Sequence, residues 1–244
     1  MCALIAVPTE STRARSERKR CAVVAQLVER RLGKTEVSGS IPDNGSMEIK
    51  IKIVGITGTL GSGKGEVSAF LRSKGFVHFS VRDFLTGELK RRGLTVNRDE
   101  MTMLANELRT THGPSYIIEQ IYATAAAKGG NAIIESVRAK GEVDFLKKKG
   151  ALIIAVDAPA KVRYERVRSR KSDLDHVTYD KFLADEKREM DSDDAFRQNI
   201  RDCMRRADFV VTNDGTLEEL HKQIEKVLPK ITRQSSSVGR AQLS

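Results

Sequence analysis

From residue 49 onward, short apolar runs alternate with stretches whose apolar positions recur every three to four residues. The runs at 49–56, 77–79, 132–134, 151–156 and 208–212 predict five strands, and the intervening periodicity predicts helices. These helices fall at 63–73, from 80 to near Gly93, 97–109, 114–128, 142–149 and 159–170, as two charged helices within 178–206, and from 216 onward. Local signals mark their starts. Asn97 with Glu100, and Thr216 with Glu219, have capping-box spacing. Asp83 follows Ser80 at the same spacing, and Pro114 suits a first helical turn. Strands alternating with helices predict an α/β fold, a five-stranded parallel sheet covered by helices on both faces.

The first strand runs into Gly58-Thr59-Leu60-Gly61-Ser62-Gly63-Lys64-Gly65-Glu66, and Gly58 to Lys64 fits G-x-x-x-x-G-K. Between a buried strand and a helix, this spacing is that of a phosphate-binding loop. Successive backbone N–H groups face phosphate oxygens and a lysine reaches the terminal phosphates. The helix N-terminus adds its own amides and the positive end of its dipole. The chain thus reads as a P-loop NTPase. Gly65 stands where a serine or threonine would hold magnesium, and the nearest hydroxyl downstream is Ser68. Magnesium is therefore expected mainly through waters and ATP phosphates.

Charge changes the picture less than its total suggests. The net charge is +10, but residues 1–46 hold eight Lys or Arg against five Asp or Glu, and residues 230–244 hold three against none. The two ends therefore carry +6, and the body shows no basic patch interleaved with aromatics, so a nucleic-acid partner is not expected. Of three cysteines, Cys2 and Cys21 lie in the N-terminal stretch. A lone Cys203 in the body gives no disulfide framework, which fits a cytoplasmic protein. No apolar run reaches the length of a membrane span, and the segment 1–7 is too short for a signal peptide. His78, His112, His176 and His221 show no ligand spacing for zinc.

Residues 1–46 and about 234–244 resemble translated transfer-RNA genes, carried by Ala22 to Lys34, Gly39 to Gly45 and Ser235 to Ala241. That implies a kinase domain over 47–229 flanked by a non-domain extension, 1–46, and a non-domain tail, 230–244. A basic arm with an amphipathic helix over 23–32 is the other reading.

The Gly-Lys-Gly variant of the loop is shared with adenylate kinases. Together with the stretches 104–113, 133–145, 157–170 and 207–220, it makes the chain resemble dephospho-coenzyme A kinase and its nucleoside-monophosphate-kinase-like relatives. The resemblance implies ATP as phosphate donor, Mg2+ and a nucleotide-like acceptor. It also implies an acceptor-binding helical insert after the second strand and a short basic lid from Arg163 to Arg170, which the polar break after Arg170 would let close. Lys64 would meet the transferring phosphate. Arg163, Arg166 and Arg170 share one helical face, and the resemblance lifts Arg166 and Arg170 above a merely solvated basic face, with Arg163 behind. Arg138 matches an acceptor-phosphate ligand, and Arg109 matches as well, with a surface salt bridge as its plainer role. Asp83 is either a cap or a group near the acceptor or the metal-bound water. Glu135 ends the third strand, where a metal-bound water or an acceptor hydroxyl would be met. Its relatives carry aspartate there. Asn213 and Gly215 resemble the loop beside the adenine, and a simple turn explains them equally well.

These readings converge on an ATP-dependent small-molecule kinase acting on dephospho-coenzyme A or on a nucleoside or deoxynucleoside monophosphate. A non-catalytic ATP-binding regulatory module and an RNA-associated P-loop ATPase are the alternatives.

Overall fold

The computed structural model of the chain describes residues 51–169 and 178–233. The expectations for 1–46, the start of the first strand at 49, Arg170 at the end of the lid, the polar break at 171–176 and the end of the tail lie outside them. Five strands, β1 (Ile53–Gly58), β2 (Val77–Ser80), β3 (Ala132–Glu135), β4 (Leu152–Asp157) and β5 (Phe209–Thr212), form one sheet in the order β2-β3-β1-β4-β5. Every neighbouring pair is parallel. Between and after the strands come α1 (Lys64–Ser73), α2 (Val81–Arg91), α3 (Arg98–His112), α4 (Tyr116–Lys128), α5 (Lys140–Lys148), α6 (Ala160–Ser169), α7 (Tyr179–Met190), α8 (Ile200–Arg205) and α9 (Leu217–Arg233).

The sheet separates two cores, and strand alternation assigns residues to each. Ile53, Ala132, Ile134 and Ile153 join the side packed by α2 to α5, with Cys203 of α8. Val54, Ile56, Ile133, Ile154, Val156 and Val211 face α1 and α9, where Val67, Leu71, Leu220, Ile224 and Ile231 close over them. All six positions of β1 are buried because it is the central strand, flanked by β3 and β4. Gly55 lets the first core close: a Cβ there would sit 2.6 Å from Ile153 Cδ1 and 3.0 Å from Leu146 Cδ1.

Among the boundaries that differ from the sequence reading, three have a clear local cause. β1 continues to Gly58 because Thr57 and Gly58 stay in register with Ala155 and Val156 of β4. The phosphate loop proper thus begins at Thr59. Pro114 precedes the helix, in a turn where the Tyr116 amide bonds Gly113 O, and Ser115 is the residue before the first helical position. α5 starts two residues earlier than expected, at Lys140, because Glu142 reaches back to the amides that precede it. The caps at Asn97 and at Thr216 with Glu219 form as the spacing predicts. α9 continues to Arg233, and Ile231 is buried.

Glu142 is the most constrained charge in the described chain. With no exposed side-chain surface, it gives Oε1 to Arg109 Nε (3.0 Å) and Nη2 (2.8 Å), and Oε2 to the amides of Arg138 (2.8 Å) and Ala139 (3.0 Å). Arg109 is only 1% exposed, so its ion pair is buried and not the surface bridge expected. Removing one partner would strand the other charge away from water. Glu142→Ala is therefore expected to destabilise the protein by about 3–5 kcal/mol, which equilibrium denaturant unfolding will measure.

Candidate functional site

The carboxyl ends of the strands gather one set of loops at one edge of the sheet, the side on which open α/β sheets bind ligands. The phosphate loop leaves β1 there. Gly61 lies against α6, where a Cβ would come 2.5 Å from Arg163 O, and Gly63 lies against Asn213, where a Cβ would come 2.0 Å from Nδ2. Both have positive φ. Side chains are thus excluded by crowding as well as by backbone angle. Lys64 opens α1 and curls back over the loop, donating from Nζ to Gly58 O (2.9 Å) and Thr59 O (2.7 Å). Thr59 Oγ1 and Ser62 Oγ are buried without a hydrogen-bond partner among the described residues. Unused hydroxyls, a helix N-terminus and a backbone cradle too tight for side chains form a donor set that fits a polyphosphate.

Asn213, at the end of β5, ties the far side of this loop. Its Nδ2 donates to Ser62 O at 2.9 Å, while Arg166 of α6 donates from Nη1 to Asn213 O at 2.8 Å. The structure thus brings Arg166, Asn213 and the loop together. Gly215 lies two residues on, close to the Glu219 carboxylate that caps Thr216. Arg163 does not share a solvated face with Arg166. It is buried, ion-paired with Glu186 of α7, bonded to Ala158 O, and stacked near the Phe182 ring. Its role is to hold α6 to α7.

Leu60, Gly61, Gly63, Lys64 and Gly65 of the loop also line a pocket of about 180 Å³ that reaches the insert helices α2 and α3. Its cationic side carries Arg82, Arg98, Arg109 and Arg138; Val81, Leu85 and Met101 give it an apolar wall. Glu135 borders the same space. Its Oε2 accepts from Ser68 Oγ (2.9 Å) and meets His78 Nε2 at 2.8 Å. Burial pulls its carboxyl upward, but the His78 and Ser68 hydrogen bonds and the charges of His78 and Lys64 outweigh that and hold it below the usual range. Next to it, Ser136 is the only non-glycine among the described residues with positive φ, at 75°. Its amide and that of Val137 both bond Ile56 O. Such a conformation costs of order 1 kcal/mol or more and is characteristic of functional loops.

Asp83 is not among the residues lining this pocket. Its side chain is exposed, and its amide receives the Ser80 cap. As for magnesium, Gly65 offers no hydroxyl, Ser68 is engaged with Glu135, and no group of three or more His, Cys, Asp or Glu among the described residues could hold a metal. The residues fit a cation carried in by nucleotide phosphates, with Glu135 the carboxylate beside them.

Sequence reasoning missed Arg98, Glu189, Gln198, Ser136 and the His78–Glu135 contact. Glu189 Oε1 receives Arg98 Nη2 at 2.6 Å and Oε2 receives Arg138 Nη1 at 2.8 Å; Arg138 also reaches Gln198 Oε1 at 3.0 Å. A signal existed. Arg98 is a cation in the first turn of α3 and Glu189 an anion in the last turn of α7, each at the helix end whose dipole disfavours it.

Burial pushes the Glu189 carboxyl upward, but the Arg138 and Arg98 charges and hydrogen bonds prevail and hold it below its ordinary value of 4.5. A depressed folded-state value stabilises the protein fully above the unfolded value, and this contribution is lost as pH falls through the folded one. In phosphate-free buffer, Glu189→Gln is expected to cost roughly 2 kcal/mol at pH 7. The gap to the wild type should close as pH drops below about 4.5, which thermal melts between pH 7 and 3 will test.

Comparison with known proteins agrees with this architecture. The AAA domain family matches residues 54–190. A UPF0200 protein of Pyrococcus horikoshii is 32% identical, over 73% of this chain and 97% of its own length. A UPF0200 protein of Pyrobaculum aerophilum is 30% identical, over 73% and 97%. Among solved structures, shikimate kinase from Bacteroides thetaiotaomicron superposes with a TM-score of 0.50 at 15% identity, covering 73% of this chain and 98% of that one, a likeness of fold. Among the described residues, no helix is long and apolar enough to cross a membrane. With a phosphate loop on a five-stranded parallel sheet, and relatives matched over nearly their whole length, the chain belongs to the AAA domain family and to the UPF0200 proteins.

Proposed function

We propose that the protein is an ATP-dependent phosphotransferase that moves the γ-phosphate of ATP to a nucleotide-like acceptor, dephospho-coenzyme A or a nucleoside or deoxynucleoside monophosphate. The observation that carries this reading is one pocket lined both by the loop with Lys64 and by four arginines and an apolar wall. The loop supplies a backbone cradle for a polyphosphate, and the arginines face the same space. A donor on the loop and an anionic acceptor in the pocket would meet at Lys64.

Phosphoryl transfer asks the protein mainly for positioning and for fixed positive charge. The loop amides and the Thr59 and Ser62 hydroxyls hold the donor, and Lys64 meets the charge that develops on the transferring oxygens. Magnesium, when bound with the nucleotide beside Glu135, would supply neutralisation of phosphate charge. Arg166 and Asn213 brace the loop from the nucleotide side, and Arg138 orients the acceptor. Glu135 is held ionised by His78, Ser68 and Lys64, so it is poorly matched to taking up a proton near neutral pH. Its role is to orient an acceptor hydroxyl or a water on the cation. The strained Ser136 fixes where β3 turns toward Arg138.

The test is transfer from labelled ATP to dephospho-coenzyme A and to each nucleoside and deoxynucleoside monophosphate. One acceptor is expected to be phosphorylated, and Lys64→Ala should slow transfer by about a hundredfold or more. ATP binding without transfer to any acceptor would replace this reading with that of a non-catalytic nucleotide-binding module.

A further inference from the structure

Arg98 and Arg138 come from separate elements, the start of α3 and the loop after β3, and both line the pocket beside Lys64. What bridges them is a carboxylate of the protein itself. Glu189 offers one oxygen to each guanidinium, at 2.6 and 2.8 Å, and its side chain is 5% exposed. This is the two-pronged arrangement by which arginines grip a phosphate. Further donors belong to residues that line the same pocket and are unused. Arg109 Nη1 and Arg98 Nε are buried without a hydrogen-bond partner among the described residues, and the Arg109 side chain is 1% exposed.

The charges do not balance with Glu189 in place. Three guanidiniums, Arg98, Arg109 and Arg138, face two carboxylates, Glu142 and Glu189, which leaves one positive charge among side chains that are 24%, 1% and 21% exposed. A phosphate-monoester dianion in place of the Glu189 carboxylate would cancel it and could engage the unused donors. Glu142 cannot leave, being locked by Arg109 and two amides. Glu189 can, because it sits in the last turn of α7, where the helix dipole opposes a negative charge and the arginines alone offset it. The buried anchors of α7 lie earlier along it, Phe182 and the Glu186–Arg163 pair, while Arg188 in the last turn meets Asp99 of α3 at 3.9 Å, between exposed side chains. The end bearing Glu189 can therefore shift while the start stays fixed.

We propose that Glu189 is a built-in placeholder for the acceptor's phosphate: it occupies the anion seat formed by Arg98, Arg109 and Arg138, and a phosphate-monoester dianion displaces it. Resting on the kinase reading above, this makes Glu189 a specificity determinant. A ligand must outcompete a tethered carboxylate, so neutral or singly charged acceptors are rejected and a terminal phosphate is required, which of the acceptors proposed above selects the nucleoside and deoxynucleoside monophosphates over dephospho-coenzyme A, whose phosphates form an internal diester. Displacement also frees the end of α7, so acceptor binding and the position of that helix become coupled.

The test is calorimetric titration of the full-length chain with inorganic phosphate at pH 8, with acetate as the singly charged comparison. Each protein also carries Lys64→Ala, so that the phosphate loop does not compete for the probe. Glu189→Gln is expected to bind phosphate about tenfold tighter than its parent and to discriminate less between phosphate and acetate. Its melting temperature should rise more with added phosphate than the parent's, and Arg98→Gln should abolish the binding. A folded Glu189→Gln protein that binds phosphate no tighter than its parent overturns the proposal and leaves Glu189 a purely structural ion pair. If Glu189→Gln does not fold, Glu189→Asp is titrated instead. Its shorter carboxylate cannot span both arginines, so the same tightening is expected and the same null result is decisive. No ATP enters this experiment, so its failure is separate from a failure of phosphate transfer.

Discussion

A carboxylate without access to water has to be satisfied entirely by the protein, and Glu142 shows how much structure that requirement fixes. Its two oxygens face opposite ways, one to Arg109 on the insert and one to the amides that end the β3 loop. The pairing sets the distance between α3 and the start of α5, and so places Arg138 at the edge of the pocket. In a low-dielectric interior such a group is tolerated only with nearly ideal partners. The loop, the insert and the sheet are consequently held in one geometry before any ligand arrives.

The phosphate loop depends on a different constraint, close approach of backbone. α6 presses against Gly61 and Asn213 against Gly63, so the cradle is shaped from outside by elements more than a hundred residues away in sequence. Arg166 completes the brace through Asn213. The charged residues of α6 therefore divide by duty. Arg163 is spent on holding α7, and Arg166 on the loop. Equal spacing on a helix face said nothing about this division, because it depends on what packs opposite.

The parts that could be read from sequence were those governed by local rules. Apolar runs gave the strands and their alternation gave two cores. Asn97, Ser80 and Thr216 cap helices as their spacing suggested, and G-x-x-x-x-G-K located the loop. What stayed hidden was pairing across long sequence separations. The partner of Arg109 is 33 residues away, and Glu189 is 91 residues from Arg98 and 51 from Arg138. Arg109 looked like a surface residue because nothing in its vicinity announces a buried acid. The strain at Ser136 was invisible for a related reason: serine carries no mark of the left-handed region, and the angle is imposed by two amides converging on one carbonyl of β1. Charges at unfavourable helix ends were the one local clue to the site, and they mark residues held in place by something other than their own helix.

The two edges of the sheet differ in more than chemistry. Where the strands end, the chain is crowded to the point that a single methyl group at Gly61 or Gly63 would collide. Where they begin, the turns at Gly75, Gly129, Gly130 and Gly150 face open space. The molecule therefore has a natural handle. A fluorophore, an affinity tag or an inserted peptide attached at the 129–130 or 150 turn would stand on the far side of the sheet from the pocket, leaving the loops that surround it free to move for optical or single-molecule work.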